Sequence, residues 1–179
     1  MKLKNITILS VFAIFLLSSL AHFIYDWFPN TFTSIFFPVN ESIFEHTKMT
    51  FTVMMIWGLV SYLLFKNIRK ENFITALLAS TLTTIITLVI IFTPIFYLMD
   101  KQDNIFLTLS IYFISIIVGQ IVNYFILKRN NENKLLNTIS LILIPIIFTI
   151  YGILTYYPIK VGLLYDYANN KYGLYTSYE

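Results

Sequence analysis

The chain has two histidines, His22 and His46, and both fall in one stretch, HFIYDWFPNTFTSIFFPVNESIFEHTK, residues 22–48, together with Asp26, Glu41, Glu45 and Lys48. An imidazole beside a carboxylate suits a metal ligand oriented by its neighbour, or a general base held in one tautomer. His22 and Asp26 are four apart, so on a continuous helix they share a face one turn apart. Glu41 and Glu45 repeat that spacing, with His46 next in sequence and Lys48 three beyond Glu45. Two imidazoles and a carboxylate brought together across a short loop would hold Zn²⁺, Fe²⁺ or Mn²⁺. The expected ligands are His22, Asp26, Glu45 and His46. Glu41 is then a supporting or general-base carboxylate, and Lys48 a cation for an anionic headgroup. Ser42 lies one helical turn before His46, the spacing of a nucleophile and its base.

Each of these residues also has a plainer use. An interfacial His beside Asp26 is quieted by it, and carboxylates near a helix start are favoured by the helix dipole. Ser42-Ile43-Phe44-Glu45 fits a capping box, which makes Ser42 a helix cap. The spacing matches no standard zinc motif such as H-E-x-x-H.

The elements that position these groups are apolar. Of 179 residues 58% are hydrophobic, 18% aromatic and only 12% charged, against about 25% charged in soluble proteins. Such a chain needs a bilayer as part of its solvent. The net charge of +3 arises from 12 basic and 9 acidic residues, and the basic ones sit in short clusters between apolar runs. That placement excludes a nucleic-acid footprint, which needs them gathered on one solvated face. With no cysteine, disulfides, a thiolate nucleophile and Cys-ligated metals are excluded.

Five runs are long enough to cross about 30 Å of hydrocarbon at about 1.5 Å per residue. They are predicted over about 6–27, 41–65, 73–98, 105–127 and 135–157, as one all-α integral membrane domain covering 1–179. Pro29-Asn30 ends the first run, and Thr31–Phe37 is too short to span and reads as an interfacial loop. Ser19-Leu20-Ala21 also offers a signal-peptidase site, which would leave His22 and Asp26 at a new amino terminus. Pro94 and Pro145 predict bends in the third and fifth runs, and Asp100-Lys101-Gln102-Asp103 a tight acidic turn. With the N-terminus inside, Lys2, Lys4, Lys66, Arg69, Lys70, Lys128, Arg129 and Lys134 face the cytoplasm. Lys48, Lys101, Lys160 and Lys171 then lie outside. Eight against four favours an N-in, C-out arrangement. Of the acids only Glu71 and Glu132 fall inside, so the candidate site and the tail share the outer face.

The tail, 158–179, is Tyr-rich, and Asn169-Asn170 is a turn signal between two Tyr-bearing arms that predicts a short β-hairpin on the outer surface. It is either an aromatic belt at the headgroups or a lid over the site, with Asp166 as a further ligand or acid. Gln120 and Asn123, one turn apart, are read as partners of neighbouring helices.

The motifs H-x-x-Y-D-W (His22, Tyr25, Asp26, Trp27) and P-V-N-E-S-x-x-E-H-x-K (Pro38 to Lys48), with Asp166, Tyr172 and Gly173 in the tail, resemble a family of small bacterial multi-pass membrane proteins of unknown function. Phe44 and Leu164 depart from it, where Trp and Phe are expected. The resemblance implies a membrane location, in a bacterial plasma membrane, and a shared motif set, with no established activity attached. The residues themselves lead first to a metal-dependent enzyme acting at the outer leaflet on a lipid or other membrane-borne substrate. A small transporter or channel subunit binding a cation or proton at the same acidic mouth is the second reading, and a non-catalytic membrane partner protein the third. No organic cofactor site is expected.

Overall fold

The computed structural model describes residues 1–66, 68, 71–102, 104–129, 133–174 and, for the backbone alone, 176–177. Arg69, Lys70, Asp103, Glu132, Tyr175, Tyr178 and Glu179, which entered the charge count and the tail reading, lie outside them. Among the described residues seven α-helices run in order: α1 (Leu3–Ala21), α2 (Ile24–Trp27), α3 (Thr31–Phe36), α4 (Ile43–Leu64), α5 (Phe73–Leu98), α6 (Ile105–Leu127) and α7 (Lys134–Tyr156). Among these described residues five segments, Leu3–Trp27, α4, α5, α6 and α7, are long and apolar enough to cross a membrane.

Local chemistry accounts for most helix ends. Ser42, Asn104 and Asn133 each accept a backbone N–H in the first turn of α4, α6 and α7, the usual stabilisation of a helix start. Asn30 and Thr33 form a reciprocal capping box, so residues 31–36, expected as a loop, are instead the short helix α3. In α4 only half of the expected box forms. Ser42 Oγ accepts from the Glu45 N–H, but the Glu45 side chain turns elsewhere. The first span is interrupted after Ala21, where the Phe23 N–H bonds to Leu20 O in a tightened turn before α2 begins. Pro94 and Pro145 are accommodated inside α5 and α7. Asp100 and Lys101, at φ of 51° and 62°, close α5 in the left-handed region.

The helices pack through an apolar core with Ile14, Met54, Ile111 and Ile116 at its centre. Buried Ser and Thr hydroxyls bond back to carbonyls of their own helix, as Ser10 does to Ile6 O, Thr84 to Ser80 O and Ser115 to Ile111 O, which satisfies them without water. α5 and α6 approach closely at Gly119, where an added Cβ would lie 1.9 Å from Thr84 Oγ1. The outward surface is apolar, with Leu98, Phe106 and Leu63 largely exposed, as expected of helices solvated by lipid.

Beyond α7 a 3₁₀ turn (Gly162–Leu164) leads into three two-residue strands, β1 (Tyr165–Asp166), β2 (Lys171–Tyr172) and β3 (Thr176–Ser177). They form an antiparallel sheet in that order, with Asp166 opposite Lys171 and Tyr165 opposite Tyr172. The tail is anchored by the Leu174 N–H to Thr155 O and by Asn40 Nδ2 to Gly173 O. Gly173 has φ 52°, and a Cβ there would meet Thr155 O at 2.4 Å, so the turn depends on glycine. The tail therefore covers the loop 37–42 at the end of the bundle where α1 finishes and α4 starts.

Candidate metal centre

His22 caps the end of α1, His46 occupies the first turn and a half of α4, and Glu41 sits in the loop just before Ser42. Short connections keep these three at one end of the bundle. His22 Nε2 is 3.2 Å from His46 Nε2 and 3.4 Å from Glu41 Oε2, and His46 Nε2 is 3.6 Å from that same oxygen. The three residues form a group that could hold a metal ion. Ligands about 2.0–2.1 Å from a tetrahedral ion lie roughly 3.3–3.4 Å apart, so the three separations fit residues that would hold one ion. The side chains of His22 and His46 are 27% and 28% exposed and that of Glu41 47%, which leaves room for a further ligand from solvent.

The surroundings set the chemistry of each atom. His46 Nδ1 lies 2.9 Å from Ser42 O. A carbonyl can only accept, so Nδ1 donates to it and Nε2 is the ring atom turned to the centre. The hydrogen bond from His22 holds the Glu41 carboxyl below the usual carboxylate range, with the nearby charges of His46 and Lys171 adding to it against the opposing effect of burial. Glu41 is thus kept as an anion. Imidazole nitrogens and a carboxylate are ligands that a divalent ion takes.

The expected site residues divide into three sets. The first set, His22, His46 and Glu41, converges, with Glu41 rather than Glu45 supplying the carboxylate. Glu45 and Lys48 form a second set that turns inward: Lys48 Nζ is 2.5 Å from Glu45 Oε2, and the side chains are 0% and 1% exposed. Lys48 Nζ also donates to Ser34 O at 2.8 Å and to Thr155 Oγ1 at 2.9 Å. Glu45 accepts from the Val39 N–H at 3.1 Å and from Thr155 Oγ1 at 2.9 Å. Every polar atom of the pair is used in tying α3, α4 and α7 together, so neither group reaches the centre or a ligand at the surface. The geometry of a helix explains the split. Glu45 and His46 are adjacent and point about 100° apart, whereas Lys48 at i+3 follows Glu45 and His46 at i+4 follows Ser42.

The third set supports the first from a distance. Ser42 is almost wholly buried as the α4 cap, and its carbonyl orients His46. Asp166, 0% exposed, accepts from the Ala168 and Asn169 N–H groups, from Asn169 Nδ2 and from the Glu41 N–H at 3.1 Å. Its carboxylate is saturated by these four donors and grips the Glu41 backbone, so it is not a further ligand. Asp26 is exposed and stands outside the His22–Glu41–His46 group, because the tightened turn at Phe23 breaks the helical register that would have stacked it under His22. Thr155 and Lys171, both part of this end of the molecule, carried no signal in the sequence beyond their charge or hydroxyl.

A protein family described as a family of unknown function (DUF6512) matches residues 1–174. No curated protein and no solved structure matches the chain. The chain belongs to that family of unknown function.

Proposed function

We propose that this member of the family is a membrane-embedded, metal-dependent enzyme whose centre opens at the outer leaflet of a bacterial plasma membrane and acts on a lipid or other membrane-borne substrate. The observation that carries the reading is the convergence of His22 Nε2, His46 Nε2 and Glu41 Oε2 at 3.2–3.6 Å, the separation of ligands on one tetrahedral ion. Two His and one Glu leaving a position open is a donor set used by hydrolytic zinc sites, where the ion acts as a Lewis acid and lowers the pKa of a bound water. The chain's own residues orient His46 through Ser42 O and hold Glu41 as an anion beside His22. The N-in, C-out arrangement rests on the basic residues, and it would place the centre and the β1–β3 tail outside.

A second reading, a transporter or channel subunit for a cation or proton, draws on a cavity of about 20 Å³ lined by Ser10, Ser61, Ser80, Gln120 and Asn123. Its near edge, at Ile14 and Met54, lies about 12 Å from the centre by the helical rise from Ile14 to His22 and from His46 to Met54. The wall on that side, Ile14, Met54 and Ile116, is 1% exposed or less, and the hydroxyls beyond it, Ser18, Tyr112 and Thr50, bond to one another. That wall favours a closed pocket over a continuous polar path, and so the enzyme over the transporter.

Metal analysis of the purified full chain tests the first reading. One equivalent of a transition metal is expected in the wild type and in Asp26→Ala, with loss in His46→Ala and Glu41→Ala. A wild type free of stoichiometric metal, and equally stable with and without chelator, removes it.

A further inference from the structure

We propose that the centre takes a phosphate-bearing lipid headgroup, its anion held between the metal position and Lys171, with the acyl part lying along Phe23 and Trp27. The inference rests on the metal-centre reading and adds the class of ligand.

Of the lysines placed at this end of the bundle, Lys101 lies over the Tyr97 and Tyr167 rings, at 5.7 and 4.8 Å from their centroids. Lys48 is consumed by Glu45. Lys171, half-buried in β2, stands directly opposite Asp166 across the antiparallel pair, and opposed residues of such a pair project to the same face. Asp166 in turn grips the Glu41 N–H, so the register carries Lys171 to the side of the tail that faces the centre. Its charge is felt by the Glu41 carboxyl, yet among the described residues Lys171 enters no ion pair. An ammonium beside an open metal position is the arrangement that clamps a phosphate, one oxygen on the metal and another on the cation.

The lipid part of the proposal comes from the other flank. The His22 ring meets Phe23 edge-on at 5.1 Å between centroids, and Phe23 stacks on Trp27 at 5.9 Å. Phe23 and Trp27 are 48% and 56% exposed, so an apolar surface begins at a ligand side chain and continues outward. Aromatic residues at the end of a span sit at the level of the headgroups. A molecule with an anion at one end and a hydrocarbon chain at the other matches both flanks, whereas free phosphate would use only one.

The test is calorimetric titration of the full chain in detergent, with metal content measured for every sample. Dihexanoyl phosphatidate is one probe, inorganic phosphate the second and dihexanoylglycerol the third. Phosphatidate should bind at least tenfold more tightly than phosphate, and dihexanoylglycerol not measurably. Lys171→Gln should weaken both phosphate-bearing probes about tenfold with metal content unchanged, Lys171→Arg should restore most of the loss, and Trp27→Ala should weaken phosphatidate alone. Metal-loaded protein whose affinity for phosphatidate is the same in Lys171→Gln overturns the anion site and leaves the metal reading standing. Metal-free protein that still binds phosphatidate through Lys171 overturns the metal reading and leaves the anion site. Equal affinity for phosphate and phosphatidate overturns the lipid part, and no binding of either probe overturns the whole.

Discussion

Truncating one member of the Glu45–Lys48 pair should unfold much of the site end, and truncating both should do less harm than either alone. In Glu45→Gln the Lys48 ammonium, 0% exposed, would lose its counter-charge and keep only neutral acceptors, Ser34 O and Thr155 Oγ1 among them. In Lys48→Met the Glu45 carboxylate would keep only the Val39 N–H and the Thr155 hydroxyl. Either change strands a buried charge, at a cost of about 3–5 kcal/mol. In the double variant no charge remains, the amide oxygen introduced at position 45 can still accept from the Val39 N–H while its NH2 donates to the Thr155 hydroxyl oxygen, and the principal loss is the donor to Ser34 O, about 1–3 kcal/mol. The two substitutions should therefore be strongly non-additive, as expected for groups in contact. Reversible unfolding in mixed detergent micelles reads the four proteins of the cycle, and metal content serves as a second readout. Singles that are individually mild and add up in the double would refute the structural assignment of the pair. So would a Glu45→Gln protein of native stability that has lost its metal, since that would return Glu45 to the centre.

Asp166→Asn replaces an acceptor that takes four hydrogen bonds, one of them from Glu41; it should cost about 1–3 kcal/mol and loosen residues 39–42, seen as faster amide exchange there and weaker metal affinity. Glu41, held below the usual carboxylate range by His22, contributes stability that is fully present above about pH 4.5 and is lost as pH falls through its lower folded value. The difference in melting temperature between wild type and Glu41→Gln should accordingly be largest near neutrality and shrink in acid; a difference that grows in acid contradicts the pairing. Gly119→Ala would place a Cβ 1.9 Å from Thr84 Oγ1 and 2.7 Å from Ser80 O, so it should destabilise the α5–α6 contact by about 1–3 kcal/mol, and Thr84→Ala in the same chain should recover part of it.

The five spans were readable from the chain because a bilayer imposes a length: each of the five apolar runs matches a helix with ends displaced by a few residues at most. Parity then places His22, at the close of the first span, and His46, at the opening of the second, at one end of the bundle, since the residues between them cannot cross the membrane again. Ser42 as a cap was legible for the same local reason. The short helix α3 was missed because its signal is a two-residue capping box rather than an apolar period.

What residue types and spacing determined is therefore the membrane class, the span boundaries and the meeting of two imidazoles. Which carboxylate joins them was decided only in three dimensions. Glu41 reaches the centre because Asp166, 125 positions away, holds its backbone, and Glu45 is withdrawn because Thr155, 110 positions away, and Lys48 satisfy it in the interior. Helical periodicity and capping act over three or four residues, so they are written locally. Contacts of this range depend on how α4, α7 and the tail settle against one another, and no single segment encodes them.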